Sequence, residues 1–405
     1  MNIRSHTRGG RSAARLAFVL VAAFGAFAPG RAAVSVGEAQ VGGFFSQGYL
    51  TTSNDVNYPA ETSGGTADFR EAAINATLPI GSKLRIGAQV FEYRLGDYGD
   101  DRIVLDWASV DYNVAPEFGL RAGRVKKPRG LYNEALDLDL VRPFVFLPMG
   151  VYDPRLRDFN ASFDGAMIYG SLEAGQAGSF DYKAFYGTTD ISTKEGSGVA
   201  DYLRNAGIFE PTEADLDATY GAWAFWNTPV AGLRVGLSYS VLDSVISSGP
   251  FVPMPVLEGS IELPAYKNMI FSVEYLKDDW TFAAEYGRDW GDARIQVPGI
   301  GLDNLGDTES VTWYFSAARR LNQRFEIGAY YSHFSAETAP AGEPDSQGDF
   351  AASLRFDINE HVLVKVEGHY IDGQAHVFDT PSAPNPNRAA DESFTLFAAK
   401  MTLSF

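Results

Sequence analysis

The chain ends on FAAKMTLSF, Phe397 to Phe405, and the period of that stretch decides the fold. Phe397, Ala399, Met401, Leu403 and Phe405 fall on one side of an extended chain. Ala398, Lys400, Thr402 and Ser404 fall on the other. A period of two marks a β-strand, whereas a helix would repeat near 3.6. One face is apolar and the other mostly polar.

The same alternation recurs upstream. Leu84, Ile86, Ala88 and Val90 alternate with Arg85, Gly87 and Gln89. Leu233, Val235, Leu237, Tyr239 and Val241 alternate with Arg234, Gly236, Ser238 and Ser240. Met269 to Leu276, Phe325 to Tyr331 and Val362 to Glu367 follow suit. Short turns are expected near 79–83, 114–118, 173–179, 227–232, 277–279, 319–324 and 357–361. Longer loops are expected near 52–66, 95–102, 127–161, 187–218, 243–266, 289–309, 335–348 and 373–391.

Seven short turns and eight long loops in strict alternation imply sixteen antiparallel strands with both termini on the short-turn side. Their length, about 9–12 residues, suits a membrane-spanning strand better than a strand of about 5–6 residues in a soluble sheet. An open edge cannot sit in hydrocarbon with unpaired backbone groups, so the sheet must close. The expected fold is all-β: a transmembrane antiparallel β-barrel of the outer-membrane kind, in one domain over residues 33–405.

The other gross features agree. Arg4, Arg8, Arg11 and Arg15 precede an apolar run from Leu16 to Ala28, followed by small residues. That run is too short to span a bilayer, and residues 1–32 read as a cleaved signal peptide. Its removal lowers Lys+Arg from 33 to 28 against 51 acids, a charge of about −23 that argues against a nucleic-acid partner. The absence of cysteine excludes disulfides and thiol chemistry. No metal or cofactor motif appears, and no cofactor is expected.

If one stripe of each strand faces lipid, the other faces the lumen. The lumenal stripe carries Arg85, Arg121, Lys183, Arg234, Arg355, Lys365 and Lys400, with Glu274, Glu285, Glu326 and Glu367. Uncompensated charges of this kind cannot pack as a dry core, so the expectation is a water-filled pore. The cations fall mainly in the second to ninth and the last three segments, and Glu274, Glu285 and Glu326 fall between them. Two readings stay open: a transverse field across the pore, or charges that pair with one another and with loop residues.

The longest loop is the third. Gly123 to Asp164 reads GRVKKPRGLYNEALDLDLVRPFVFLPMGVYDPRLRDFNASFD. Pro128, Pro143, Pro148 and Pro154 keep it from continuing a sheet. Phe144, Val145, Phe146, Leu147 and Met149 are too apolar for a loop in water. A loop folded into the lumen explains both and would form a constriction. Arg124, Lys126, Lys127, Arg129, Arg142, Arg155 and Arg157 would line it, opposed by Glu134, Asp137, Asp139, Asp153 and Asp158. The alternative is an outer loop packed at a subunit interface.

The stretches GRVKKPRGLYNE and RPFVFLPMGVYDPRLRDF, with the strand around Phe163–Tyr169, resemble porins of the phosphate-selective O and P type and their poorly characterised relatives. The resemblance implies a homotrimer of sixteen-strand barrels with a third loop that constricts the pore. Phosphate-selective members use an arginine ladder and a lysine cluster near that constriction. Here only a basic third loop matches, with acids interleaved.

Catalytic signals are thin. Glu367 and His369 share a strand face at i, i+2, and His333 falls on the lipid side without a recognisable serine partner. The functional expectation is a diffusion porin for small hydrophilic solutes or ions, anions such as phosphate included. The alternatives are a barrel enzyme acting on lipid, or a structural or adhesive barrel with a plugged lumen. Acidic stretches such as Glu210 to Asp217 and Asp289 to Glu309 could bridge to lipopolysaccharide through divalent cations, or simply be solvated. Phe405 looks like the terminal aromatic that the barrel-assembly machinery recognises.

Overall fold

The computed structural model describes residues 34–36, 38–194, 196–205, 209–380, 383–388 and 392–405. The expected signal peptide, residues 1–32, lies outside them. Strands β1 (Val34–Val36), β2 (Ala39–Thr52), β3 (Phe69–Ile80), β4 (Leu84–Leu95), β5 (Val104–Ala115) and β6 (Phe118–Lys126) precede the third loop. After it come β7 (Ser162–Glu173), β8 (Ser179–Thr188), β9 (Glu213–Asn227), β10 (Leu233–Pro250), β11 (Glu258–Lys277) and β12 (Trp280–Val297). The last are β13 (Leu302–Arg320), β14 (Phe325–Ala336), β15 (Ser346–Asp357), β16 (Val362–Asp372) and β17 (Ser393–Ser404).

Each strand from β2 to β17 pairs antiparallel with its neighbours in sequence, and β17 pairs with β2. The result is a closed sixteen-strand barrel. The short β1 only extends the start of β2, with Val34 opposite Val41. Closure runs to the last residue, because Phe405 and Gly43 exchange backbone hydrogen bonds at 3.0 Å. The terminal alternation holds: Phe397, Met401, Leu403 and Phe405 are exposed, whereas Ala398, Lys400 and Thr402 are buried.

The seven short turns stand where expected, and the outer connections differ in two places. Residues 243–266 and 289–309, expected as loops, are largely strand, so β10 to β13 run to 18, 20, 18 and 19 residues. Twenty residues at about 3.3 Å each reach far beyond a hydrocarbon core of about 30 Å, even with strand tilt. These hairpins therefore stand above the apolar band. There the ladder needs no greasy stripe, and cross-strand ion pairs such as Arg294–Asp303 at 2.7 Å and Arg288–Glu309 at 2.8 Å decorate it. That is why the stretch reads as loop by hydropathy. Of the expected acidic loop residues, Asp289, Asp292, Asp303 and Asp307 sit on these strands instead, and Asp215 and Asp217 sit on β9 beside the upper part of β10.

Candidate functional site

The third loop, residues 127–161, folds into the lumen and bonds to the wall on many sides. Its apolar tip is turned onto the wall and away from water. Phe146 stacks on Phe69 of β3 at 5.2 Å, and Phe144 meets Tyr330 of β14 edge-on at 5.1 Å. The Val145 and Phe146 N–H groups donate to the two Glu367 carboxylate oxygens at 2.8 and 2.9 Å. Glu367 in turn bonds His369 Nε2 at 3.0 Å, and His369 Nδ1 meets Asp349 at 3.0 Å. Both imidazole nitrogens are thus engaged. Glu367 and His369 serve here as a tether for the loop.

A second anchor is Asp139, almost wholly buried. Lys365 Nζ donates to its carboxylate at 2.9 Å and to its carbonyl at 2.7 Å. Thr402 Oγ1 donates at 2.6 Å, Arg142 Nε at 3.4 Å, and Lys400 Nζ stands 3.6 Å away. Burial works to raise this carboxyl, and the lysines and Arg142 overcome it and hold it well below the usual carboxylate range.

A third anchor joins β5, β6 and the loop. Lys126 Nζ bridges Asp106 at 2.8 Å and Asp137 at 2.6 Å, and Arg157 meets the same two carboxylates at 2.8 Å each. Burial again opposes ionisation of Asp137, and Arg157 and Lys126 outweigh it and hold its carboxyl below the ordinary value. Arg157 also lies 3.7 Å over the Phe91 ring of β4.

The fourth anchor is Glu285 of β12. It accepts from Ser272 Oγ at 2.6 Å, Tyr152 Oη at 2.5 Å, Tyr314 Oη at 2.9 Å and the Leu131 N–H at 2.8 Å. Gly130 makes this approach possible: its φ is +55°, and a Cβ there would stand 2.6 Å from Glu285 Oε1. On the adjoining wall Trp223 Nε1 donates to the Gly130 carbonyl at 2.9 Å.

The expected lumenal residues all lie on the inward face, but several are not wetted. Lys365 is 0% exposed, and Lys400, Glu367 and Glu274 are 1% exposed, so the expectation of a water-bathed wall is corrected at these positions. The loop supplies the compensating bonds at Lys365 and Glu367, and neighbouring strands supply them at Lys400, through Glu71, and at Glu274, through Arg234. Of the two readings of the charges, pairing prevails over a field between opposite walls. Arg234 meets Glu274 at 2.7 Å, Lys400 meets Glu71 at 2.5 Å, and Arg85 and Arg121 both meet Asp111 at 2.8 Å. Arg355 reaches Asp357 at 2.9 Å and Glu326 at 3.8 Å, and Lys183 pairs with Glu134.

The expected constriction set divides similarly. Arg124 and Lys126 belong to β6 rather than the loop, and Arg124 pairs with Asp164 at 2.5 Å. Arg155 pairs with Asp153 at 2.6 Å, and Asp158 is exposed beside Arg157 at 3.7 Å. Asp106 escaped the sequence reading because a β-bulge hides it. Gln89 pairs with Trp107 and the next residue, Val90, with Leu105, which leaves Asp106 as the extra residue turned inward.

Above the loop lies a vestibule of roughly 1460 Å³, the solvent it opens to included. Its walls come from β9 to β14, the helix α1 (Gly198–Asn205) and the segment around His376–Phe378. Ser244, with φ of +56°, marks a change of facing on β10: Leu242 before it and Val245 after it both line this space.

No protein-family model and no curated protein sequence matches the chain. Solved structures do. The fold is shared with outer-membrane barrels. The outer-membrane expressed OmpT of Vibrio cholerae is 13% identical, with TM-score 0.54 over 92% of this chain and 100% of that one. The anion-selective porin from Comamonas acidovorans is 13% identical, with TM-score 0.52 over 91% and 99%. The outer-membrane channel DcaP of Acinetobacter baumannii is 10% identical, with TM-score 0.54 over 92% and 99%.

Proposed function

We propose that the chain is a passive outer-membrane channel that lets small hydrophilic solutes or ions move down their gradients, with the third loop setting the size limit. The observation that carries this reading is a closed barrel of sixteen strands whose third loop lies inside the lumen. A barrel of this strand number encloses far more space than its own wall side chains fill. Likeness in fold to an anion-selective porin and to another outer-membrane channel supports the class of function. Export by residues 1–32, recognition of Phe405 by the assembly machinery, contact with lipopolysaccharide and a homotrimeric state belong to the same proposal. A trimer form is described for one structural neighbour.

Arg85, Arg121, Lys183 and Arg234 with their carboxylate partners are assigned to the lumen wall, and the third loop to the constriction. Phosphate is a narrower reading, and interleaved acids weigh against it: Asp137, Asp139 and Asp153 already neutralise much of the basic loop. The purified protein in a planar bilayer is expected to give stepwise currents, and their absence from a folded sample would overturn the channel. One observation favours a plugged barrel instead: the loop is bonded to β5, β12, β16 and β17, which are spread around the ring. A silent wild type that conducts once Asp139 is replaced would establish that second reading.

A further inference from the structure

Five cations of the third-loop region are matched by acids within 4 Å: Lys126, Arg142, Arg155, Arg157 and Arg124. Lys127 and Arg129 are different. Among the described residues neither has a carboxylate within ion-pair distance. Lys127 is 3% exposed, and among the described residues its ammonium makes one bond, to the Phe159 carbonyl at 3.3 Å, with the Phe159 ring 5.1 Å away. An ammonium has three donors. Lys365, equally buried, makes three bonds. Arg129 donates to Val151 O at 2.7 Å and to Asn268 Oδ1 at 3.3 Å. Asn268 is the intermediary to Asp289, at 2.8 Å, so that carboxylate is one residue removed from the guanidinium.

Both under-compensated cations line the vestibule above the loop; of the two carboxylates that also line it, Asp153 is taken up by Arg155 at 2.6 Å and Asp289 accepts from Asn268 at 2.8 Å, and one stretch of the wall is apolar. Leu242, Val245, Ile261 and Leu263 form one wall, with Tyr202 and Phe378 also facing the cavity. A sugar or inorganic phosphate would lose its hydration against such a wall without replacement, which is costly. An apolar body gains from the same contact. Burial, and then Arg129, bring the Lys127 ammonium down to about 7, so a carboxylate set beside it would hold its proton on, while the wall calls for carbon.

We propose that the vestibule binds an amphipathic organic anion, an aromatic or branched apolar body carrying one carboxylate. The carboxylate faces Lys127 and Arg129, and the body lies against the wall formed by Leu242, Val245, Ile261 and Leu263. This deepens the channel reading and rests on it only for the route by which such a ligand moves on.

The test uses 4-phenylbutyrate as probe, with acetate as a charge without a body and 4-phenylbutanol as a body without a charge. The full chain is studied in planar bilayers by current recording and, separately, in lipid nanodiscs by calorimetry. Phenylbutyrate added on the outer side is expected to interrupt the current and to bind in nanodiscs, with both controls much weaker. Lys127→Met is expected to weaken binding about tenfold, the size of one lost charge-assisted hydrogen bond. Val245→Asn, which keeps both cations, is expected to weaken phenylbutyrate and leave acetate unchanged. Steady current with neither interruption nor calorimetric binding overturns the inference and leaves the channel standing. Calorimetric binding with the expected selectivity but no current supports the inference and removes the channel. Equal responses to phenylbutyrate and acetate, or to phenylbutyrate and phenylbutanol, overturn it.

Discussion

Asp139 shows how single residues carry the lumen. One carboxylate gathers Lys365, Lys400, Arg142 and Thr402, drawn from β16, β17 and the loop itself. Replacing Asp139 by Ala takes the ion-pair partner from the buried Lys365 and leaves Lys400 with Glu71 alone. Breaking a buried pair costs about 3–5 kcal/mol, and the low end applies because Lys365 keeps its bonds to the carbonyls of Asp139 and Phe144. The loop is expected to detach before the barrel unfolds, so Asp139→Ala should raise single-channel conductance. Acid should act at the same groups. Asp137 and Asp139 are held below the ordinary carboxyl value of 3.8. A carboxyl with a lowered folded-state pKa stabilises above its ordinary value and loses that stabilisation as pH falls through the lowered one. Conductance at constant ionic strength is therefore expected to hold steady from about pH 7 to 4 and to rise or become noisy only below that. A rise already at pH 6 would point to other groups.

At the scale of elements, the strands were largely legible and the interior only in part. Alternation in Phe397–Phe405 and its counterparts depends only on which side of the chain meets lipid, a local property, so it survives without a structure. It fails where lipid stops imposing it. Above the apolar band β10 to β13 continue with Ser, Asp and Gly, and hydropathy reads loop. It also fails where a bulge shifts the count, which is how Asp106 passed unnoticed. The third loop was recognisable from prolines beside an apolar run, but its partners could not be, because Val145 and Glu367 lie more than two hundred residues apart. The loop's shape depends on a turn as much as on its tethers. Gly130→Ala places a side chain at φ +55°, with Cβ 2.5 Å from Tyr152 Oη and 2.6 Å from Glu285. Strain of about 1–3 kcal/mol is expected. It should appear as hydrogen exchange at Leu131 and Tyr132 roughly five to 150 times faster, while strand amides stay protected. Unchanged exchange would mean that Glu285 does not fix the turn.

For the whole molecule, charge has two separate addresses. The bulk of the net negative charge lies away from the loop, and Asp215, Asp217, Asp303 and Asp307 stand exposed on the projecting hairpins. The loop region is close to neutral pairing, and among the described residues Lys127 and Arg129 are its cations without a carboxylate in ion-pair distance, although Asp153 and Asp289 also line the vestibule. These two sets respond differently to salt. Exposed charges act over a Debye length of about 30 Å at 0.01 M and about 3 Å at 1 M, whereas partly buried charges are screened much less. At low salt the acidic hairpins should enrich cations at the mouth and lend the channel a cation preference. As salt rises, that contribution fades and the buried cations remain. Reversal potentials across a fixed tenfold gradient are therefore expected to shift toward anions as mean salt increases. In Lys127→Met the low-salt preference should persist and the high-salt shift should shrink. If the preference is the same at every salt concentration, the hairpin acids play no part in selection. If the mutant shifts as far as the wild type, the vestibule cations do not meet the permeating ions.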